Sequence, residues 1–128
     1  MLDISAASDV ASGSTRATRE GPIDLVQLAR MTLGDRGLER EVLQLFARQV
    51  AMLVDRMQGK PVATVAAVAH TLKGSARGVG AWRVAGAAEA VEHAAESAGA
   101  ADLEDALRTI RTAADEVRAT IAELLRAN

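Results

Sequence analysis

The apolar residues of this chain are mostly small, which restricts it to folds in which backbones pack closely. Hydrophobic residues make up 49% of the 128 residues, but only 2% of the chain is aromatic, namely Phe46 and Trp82. The remainder is mainly alanine, leucine and valine, and alanine is the strongest helix former. A β-sandwich normally relies on β-branched and aromatic side chains. The composition therefore predicts an all-α protein.

Glycine and proline divide the chain into segments with helical periodicity. We predict a short first helix that Asp24 caps and Gly34 ends. Four longer helices are expected over about 38–57, 61–79, 81–97 and 102–125. Because the connections between these amphipathic helices are short, we predict an antiparallel four-helix bundle with the short helix packed across one end. We assign residues 22–128 to this domain and residues 1–21, rich in Ser, Thr, Ala and Gly, to a flexible tail.

The spacing of apolar residues by three and four predicts which side of each long helix faces the core. For the first long helix the predicted stripe is Leu38, Val42, Leu45, Phe46, Gln49, Met52, Leu53 and Arg56. For the second it is Val65, Val68, Ala69, Leu72, Ala76 and Val79. For the last it is Leu103, Leu107, Ile110, Ala114, Val117, Ile121 and Leu124.

Charge and composition exclude several classes of function. Fifteen basic and 17 acidic residues leave a net charge of −2, which offers no strong footprint for nucleic acid. The chain has no cysteine, so disulfides and thiolate chemistry are excluded. No apolar run reaches about 18 residues and the first residues lack a signal-peptide pattern, so no membrane span is expected. We expect a cytoplasmic protein and, since the four helices cover their own apolar faces, a monomer.

The most informative stretch runs from His70 to Gly80. His70, Lys73, Gly74 and Arg77 fall at i, i+3, i+4 and i+7, so they share one helix face that is distinct from the core stripe. A free histidine is mostly neutral at pH 7 and keeps a lone pair on one ring nitrogen, as attack on phosphorus requires. A neighbouring cation would offset the charge of a bound phosphoryl group.

Gly74 requires an explanation, because a glycine inside a helix costs about 1 kcal/mol relative to alanine. One turn after His70, the missing side chain leaves the imidazole open to a bulky partner. A close contact between helices, or a weak point without function, is an equally open explanation at the level of sequence.

These residues resemble a known family. The motif His70-x-Leu72-Lys73-Gly74-Ser75-Ala76, continuing to Gly80, is similar to that of the histidine phosphotransfer (HPt) domains of multistep two-component relays. Residues 28–35 and 43–46 are similar to the opening of such domains, so the resemblance covers about residues 22–125. It implies that His70 accepts the phosphoryl group on Nε2, that Lys73 neutralises it, and that Gly74 clears the ring.

The resemblance also implies a partner for the other ring nitrogen. Glu92 occupies the position on the following helix where many such domains carry a glutamine, and a carboxylate there would accept from Nδ1–H. A solvated glutamate on an exposed face remains the alternative. Ser75 is expected to border the site, and the apolar surface around His70 to come from Ala66, Ala67 and Ala69, with Ile23, Leu25 or Leu28 from the short helix.

The resemblance implies partners rather than a substrate. We expect the chain to exchange phosphate with response-regulator receiver domains, with a hybrid histidine kinase as a further partner. The Mg²⁺ ion would belong to the receiver, so this chain would need no cofactor and would be a carrier, not an enzyme. The alternative is a helical adaptor that binds a signalling partner without phosphotransfer.

Two remaining side chains are expected to have ordinary roles. His93 lacks the Glu-x-x-His pairs of a metal site in a helical bundle. Glu89 and Glu96 flank it at i−4 and i+3, so we expect an exposed, charge-paired histidine. Trp82 follows a corner between two helices, where we expect it to anchor the core.

Overall fold

The computed structural model describes residues 21–97 and 99–127, and five helices account for most of them. They are α1 (Leu25–Thr32), α2 (Arg36–Arg56), α3 (Val62–Val79), α4 (Trp82–Ser97) and α5 (Ala100–Ala127). No strand occurs in these ranges, which confirms the predicted all-α class. None of these helices is both long and apolar enough to cross a lipid bilayer. Apart from Gly21, the predicted tail lies outside the described residues.

Four of the helices form a closed ring of contacts. α2 packs on α3, α3 on α4, α4 on α5, and α5 back on α2. Consecutive helices of this ring are joined by two to five residues, so neighbours run in opposite directions along each other. The short helix α1 packs against α2 and α3, and the backbone N–H of Asp24 donates to the carbonyl of Gly80 at 2.8 Å. α1 therefore crosses the end of the bundle where α3 turns into α4.

Helix boundaries follow their capping residues. Asp24 caps α1 as predicted, because its side chain accepts from the backbone N–H groups of Val26 and Gln27. α2 begins two residues earlier than predicted because the Asp35 carboxylate accepts from the N–H of Leu38. Pro61 lies at the cap of α3 rather than inside its first turn.

The core occupies the inside of the ring. The predicted stripe of α3 is confirmed, since all six of its residues are buried. The predicted stripe of α5 is confirmed as well, with every member buried or half-buried. Burying one aliphatic side chain of this kind stabilises the fold by about 1.5–3 kcal/mol.

The predicted core stripe of α2 is wrong in part. The buried residues of this helix are Leu43, Phe46, Val50, Leu53 and Val54. Leu38, Leu45 and Met52 are instead exposed, by 42%, 59% and 54%. Apolar residues recur at helical spacing on two sides of α2, and only one of these sides faces α3 and α5. The other side carries the three exposed residues, which are spaced by seven. We call Leu38, Leu45 and Met52 the α2 ridge.

Trp82 is not a core anchor. It is the first residue of α4 and remains 41% exposed. Its indole Nε1–H donates to Oδ2 of Asp24 at 2.8 Å, across 58 residues of sequence. The two residues of the helix corner before it, Gly80 and Ala81, are buried instead.

Candidate functional site

His70 projects from the middle of α3 toward solvent, with 70% of its side chain exposed. It points away from the core because the buried positions Val68 and Leu72, at i−2 and i+2, lie on the opposite side of the helix. Its Nδ1 lies 2.9 Å from Oε2 of Glu92 on α4. The two residues meet because α3 and α4 are antiparallel neighbours joined by a two-residue corner.

Glu92 contacts a second side chain of α3 through its other oxygen. The Nζ of Lys73 lies 2.7 Å from Oε1 of Glu92, and both side chains are largely shielded, at 15% and 16% exposed. Oε1 itself is buried, and the ammonium of Lys73 is the cation that lies against it. One carboxylate therefore joins Lys73 to His70.

The protonation state of Glu92 follows from these contacts. The ion pair with Lys73 lowers the pKa of Glu92 below its ordinary value, and the hydrogen bond to His70 acts in the same direction against the opposing effect of burial. A deprotonated carboxylate only accepts hydrogen bonds, so the bond to Oε2 assigns the proton of a neutral ring to Nδ1. The lone pair of the ring then lies on Nε2.

Gly74 does not serve helix packing. A Cβ atom added at Gly74 would meet nothing within 4 Å, and the same holds for Gly78 one turn later. A close contact between helices, which was left open from the sequence, is therefore excluded as the reason for Gly74. The two glycines leave the surface of α3 bare beside His70.

This bare surface forms the floor of an apolar groove of about 350 Å³. The walls come from α1 and α2, and the full lining is Met31, Val42, Leu45, Phe46, Gln49, Gly74, Ser75, Gly78 and Val79. Leu45 belongs to the α2 ridge, and Met31 is 47% exposed. The groove therefore offers an accessible apolar surface one helical turn from His70.

The predicted apolar surface around His70 is partly wrong. Ala69, Ile23 and Leu28 are buried at 0%, 4% and 2% exposure and cannot touch a partner. Ala67 and Leu25 are exposed and Ala66 is half-buried. The groove residues that sequence reasoning missed include Met31 of α1 and Leu45 of the α2 ridge. The signal for the ridge was present, since α2 has more apolar residues than one buried face can hold.

Comparison with known proteins assigns the family. The family model of the Hpt domain matches residues 41–124, about two thirds of the chain. The chain belongs to the Hpt domain family. The crystal structure of a rice protein assigned as a histidine-containing phosphotransfer protein has the same fold, with a TM-score of 0.76 and 20% identity over 94% of this chain and 91% of the rice chain. No curated protein matches.

The remaining predicted site residues of this Hpt domain lie around the same helix face. The Arg77 guanidinium is 4.0 Å from the carboxylate of Glu89 on α4, and both are about half exposed. Ser75 lines the groove and Ala66 lies one turn before His70, as expected for neighbours of the site. The structure thus brings His70 and Lys73 each into direct contact with Glu92, and the functional roles of all these residues stay predictions.

His93, the second histidine of the Hpt domain, is exposed on α4. No ion pair within 4 Å includes it among residues 21–97 and 99–127, so the predicted charge pairing is wrong. Its side chain lines a shallow surface depression with Lys73, Glu89, Glu92 and Glu96. Within the same described ranges, no cluster of three His, Cys, Asp or Glu side chains has the geometry to hold a metal ion.

Proposed function

We propose that this Hpt domain carries a phosphoryl group on Nε2 of His70, which it accepts from the aspartate of one receiver domain and passes to that of another. The carrying observation is the bond between Nδ1 of His70 and Glu92 at 2.9 Å, on a ring that is 70% exposed. That bond directs the lone pair of Nε2 to solvent beside an apolar groove. Membership of the Hpt family supports a role in histidine phosphotransfer in general.

The proposed transfer requires no proton to leave the ring. The lone pair of Nε2 attacks the phosphorus of the aspartyl phosphate, the N–P bond forms, and the P–O bond to the aspartate breaks to release its carboxylate. The ring keeps its proton on Nδ1 and becomes cationic. The carboxylate of Glu92, which accepts that proton's hydrogen bond, stabilises the cation. Attack by the carboxylate of a second receiver reverses the step.

Lys73 is proposed to offset the charge of the phosphoryl group. In the unphosphorylated protein its ammonium is paired with Glu92. The phosphoryl group would bring about two negative charges next to that pair. We propose that Lys73 then shares its charge between Glu92 and the phosphoryl oxygens, so that the carboxylate and the phosphate do not face each other without a cation.

The apolar groove is proposed as the docking surface for the receiver. A partner that delivers phosphorus to Nε2 must cover the surface next to His70, and the groove between α1, α2 and α3 lies there. Apolar surface of this kind supplies binding free energy without competing for the charged groups at the site. The Mg²⁺ ion needed for the aspartyl phosphate chemistry is proposed to stay with the receiver.

The test is the transfer of labelled phosphate from a phosphorylated receiver domain to the Hpt domain. We expect the label to be acid-labile and base-stable, and to be lost in His70→Ala. His93→Ala is the matched control, since His93 is the other histidine of the chain and is also exposed. The His93→Ala variant should accept label at the wild-type rate.

Equal labelling of wild type and His70→Ala would contradict the proposal. Binding of the receiver without any transfer of label to wild type would favour the adaptor alternative instead. Phosphoramidate, a small-molecule phosphoryl donor, provides an assay of His70 that is independent of receiver binding.

A further inference from the structure

Asp24 connects α1 to the corner between α3 and α4 by several contacts at once. Its backbone N–H donates to the carbonyl of Gly80 at 2.8 Å. Its Oδ1 accepts from the N–H groups of Val26 and Gln27, and its Oδ2 accepts from the indole of Trp82 at 2.8 Å. The residue is buried, at 6% exposed. An ordinary N-cap satisfies only its own helix, whereas this carboxylate also bonds to Trp82, the first residue of α4.

Gly80 permits this close approach. It has a φ of +83°, and a Cβ atom there would lie 2.8 Å from the backbone oxygen of Asp24 and 3.0 Å from the Cβ of Gln27. Backbone atoms cannot move aside as the end of a flexible side chain can. The corner is therefore shaped to receive the start of α1, and the side-chain amide of Gln27 adds a bond to the carbonyl of Gly78 at 3.3 Å.

Trp82 supplies the side-chain donor of this arrangement rather than core volume. Its ring is 41% exposed, so the residue is not explained by burial alone. A serine or threonine at position 24 would cap α1 equally well by the rules of helix capping. Serine and threonine have only one side-chain oxygen, however, and the indole of Trp82 bonds to the second carboxylate oxygen of Asp24. We call Asp24, Gly80 and Trp82 the corner clamp.

The corner clamp lies at one end of α1 and the apolar groove at the other. Met31 is two turns after Asp24 and forms the α1 wall of the groove, opposite the bare surface of Gly74 and Gly78. α1 has only eight residues and would not be stable as a helix on its own. The position of Met31 therefore depends on what holds α1 against the bundle.

We propose that Asp24 is a positioning residue for partner binding: the corner clamp holds α1 where Met31 completes the groove. The inference rests on the proposed function, because it takes the groove as the surface on which a receiver docks. Loosening the clamp would let α1 tilt from the bundle while His70, Lys73 and Glu92, which are all on α3 and α4, keep their contacts. Receiver binding would weaken, and the reactivity of the imidazole itself would not change.

The test uses the full chain with Asp24→Ser, which keeps a capping oxygen and removes the acceptor for the indole. Trp82→Phe removes the donor and leaves the cap. Asp35→Ser is the matched control, because Asp35 caps α2 at 2.9 Å from the N–H of Leu38 and is exposed. For each protein the rate of transfer from a phosphorylated receiver is measured against receiver concentration, and labelling of His70 by phosphoramidate is measured alone.

We expect both clamp variants to raise the receiver concentration for half-maximal transfer about fivefold, the factor that corresponds to one net hydrogen bond. Labelling by phosphoramidate should equal that of wild type, and Asp35→Ser should behave as wild type throughout. In Asp24→Ser the fluorescence of Trp82, the only tryptophan, should shift toward that of a more exposed indole.

Unchanged half-maximal concentrations in both clamp variants would overturn the inference. An equal loss of phosphoramidate labelling would also overturn it, since that would mean a general structural defect. If wild-type His70 accepts no phosphate from either donor, the proposed function itself fails, which is distinct from a failure of the clamp alone.

Discussion

The Nδ1 of His70 and Oε2 of Glu92 lie 2.9 Å apart across the interface of α3 and α4, although 22 residues separate them in sequence. The same carboxylate holds Lys73 at 2.7 Å through its other oxygen. The imidazole of His70 and the ammonium of Lys73, which are neighbours on α3, are thus linked through one carboxylate on α4. A substitution at any one of these three residues therefore alters the contacts of the Glu92 carboxylate or of its two partners.

Removal of the ammonium is expected to shorten the lifetime of the phosphohistidine. Lys73→Met keeps the length of the side chain but leaves Glu92 without its cation beside a phosphoryl group. We expect decay to quicken about fivefold, since one charge contact of about 4 Å in water is worth ~1 kcal/mol. The measurement is loss of label from isolated phosphoprotein. Lys60→Met, at the other lysine of the chain, is the control, and an unchanged lifetime in Lys73→Met would remove the proposed role.

The depressed pKa of Glu92 predicts a loss of stability in acid. At pH values between the pKa of Glu92 in the folded protein and its pKa in the unfolded protein, the unfolded state binds more protons. The free energy of unfolding therefore rises with pH in that range. The contribution of Glu92 to the free energy of unfolding is complete above its ordinary pKa of 4.5 and is lost as the pH falls through its pKa in the folded protein. Urea denaturation of wild type and Glu92→Gln should therefore differ most above pH 4.5 and converge below it.

A control separates this effect from general acid denaturation. Glu104→Gln alters an exposed position of α5 and should leave the unfolding free energy near that of wild type at every pH. A difference between wild type and Glu92→Gln that stays constant from pH 3 to 7 would show that the charge of Glu92 is not responsible.

Gly74→Ala is expected to make the protein more stable and a poorer phosphate acceptor. The added methyl group meets nothing within 4 Å, so the helix should gain about 1 kcal/mol. The same methyl would project into the groove, where an obstruction in a packed interface costs about 1–3 kcal/mol and weakens receiver affinity about tenfold. Thermal unfolding and receiver titration measure the two effects.

Gly86→Ala tests whether the loss of receiver affinity depends on a methyl group placed in the groove. Gly86 is also helical, exposed and open around its missing Cβ, but it lies on α4 outside the groove. It should show the gain in stability with unchanged transfer. If Gly74→Ala transfers phosphate at the wild-type rate, the groove is not the docking surface.

Leu33 offers a stabilising substitution at the end of α1. It adopts a left-handed conformation, with φ of 55°, and is 92% exposed, so it contributes strain without burial. The next N–H, that of Gly34, bonds to the carbonyl of Ala29 at 2.9 Å, and this helix end normally carries glycine. We expect Leu33→Gly to raise the free energy of unfolding by about 1 kcal/mol.

Leu33→Ala is the comparison for that measurement. Alanine has the same Cβ and therefore the same conformational strain, so chemical denaturation should give a free energy close to that of wild type. A gain of equal size for alanine and glycine would mean that the strain is not the cause.

The sequence by itself determined the helices, the buried stripe of α3 and the exposed position of His70. These are local properties: helical periodicity dictates which side chains share a face, and glycine or proline dictates where a helix ends. The His70 motif lies within one helix, so its residues could be placed relative to each other without knowledge of any neighbour. The position of Glu92 opposite His70 followed from the resemblance to the family and not from spacing.

Only the tertiary structure decided which side of α2 is buried, and hence that Leu45 and Met52 are exposed. It also decided that Glu92 binds Lys73 and that Trp82 bonds to Asp24 rather than filling the core. Periodicity defines the faces of a helix but does not say which neighbour covers each face. That choice depends on the packing of all the helices together, which brings residues 58 positions apart into a single hydrogen bond.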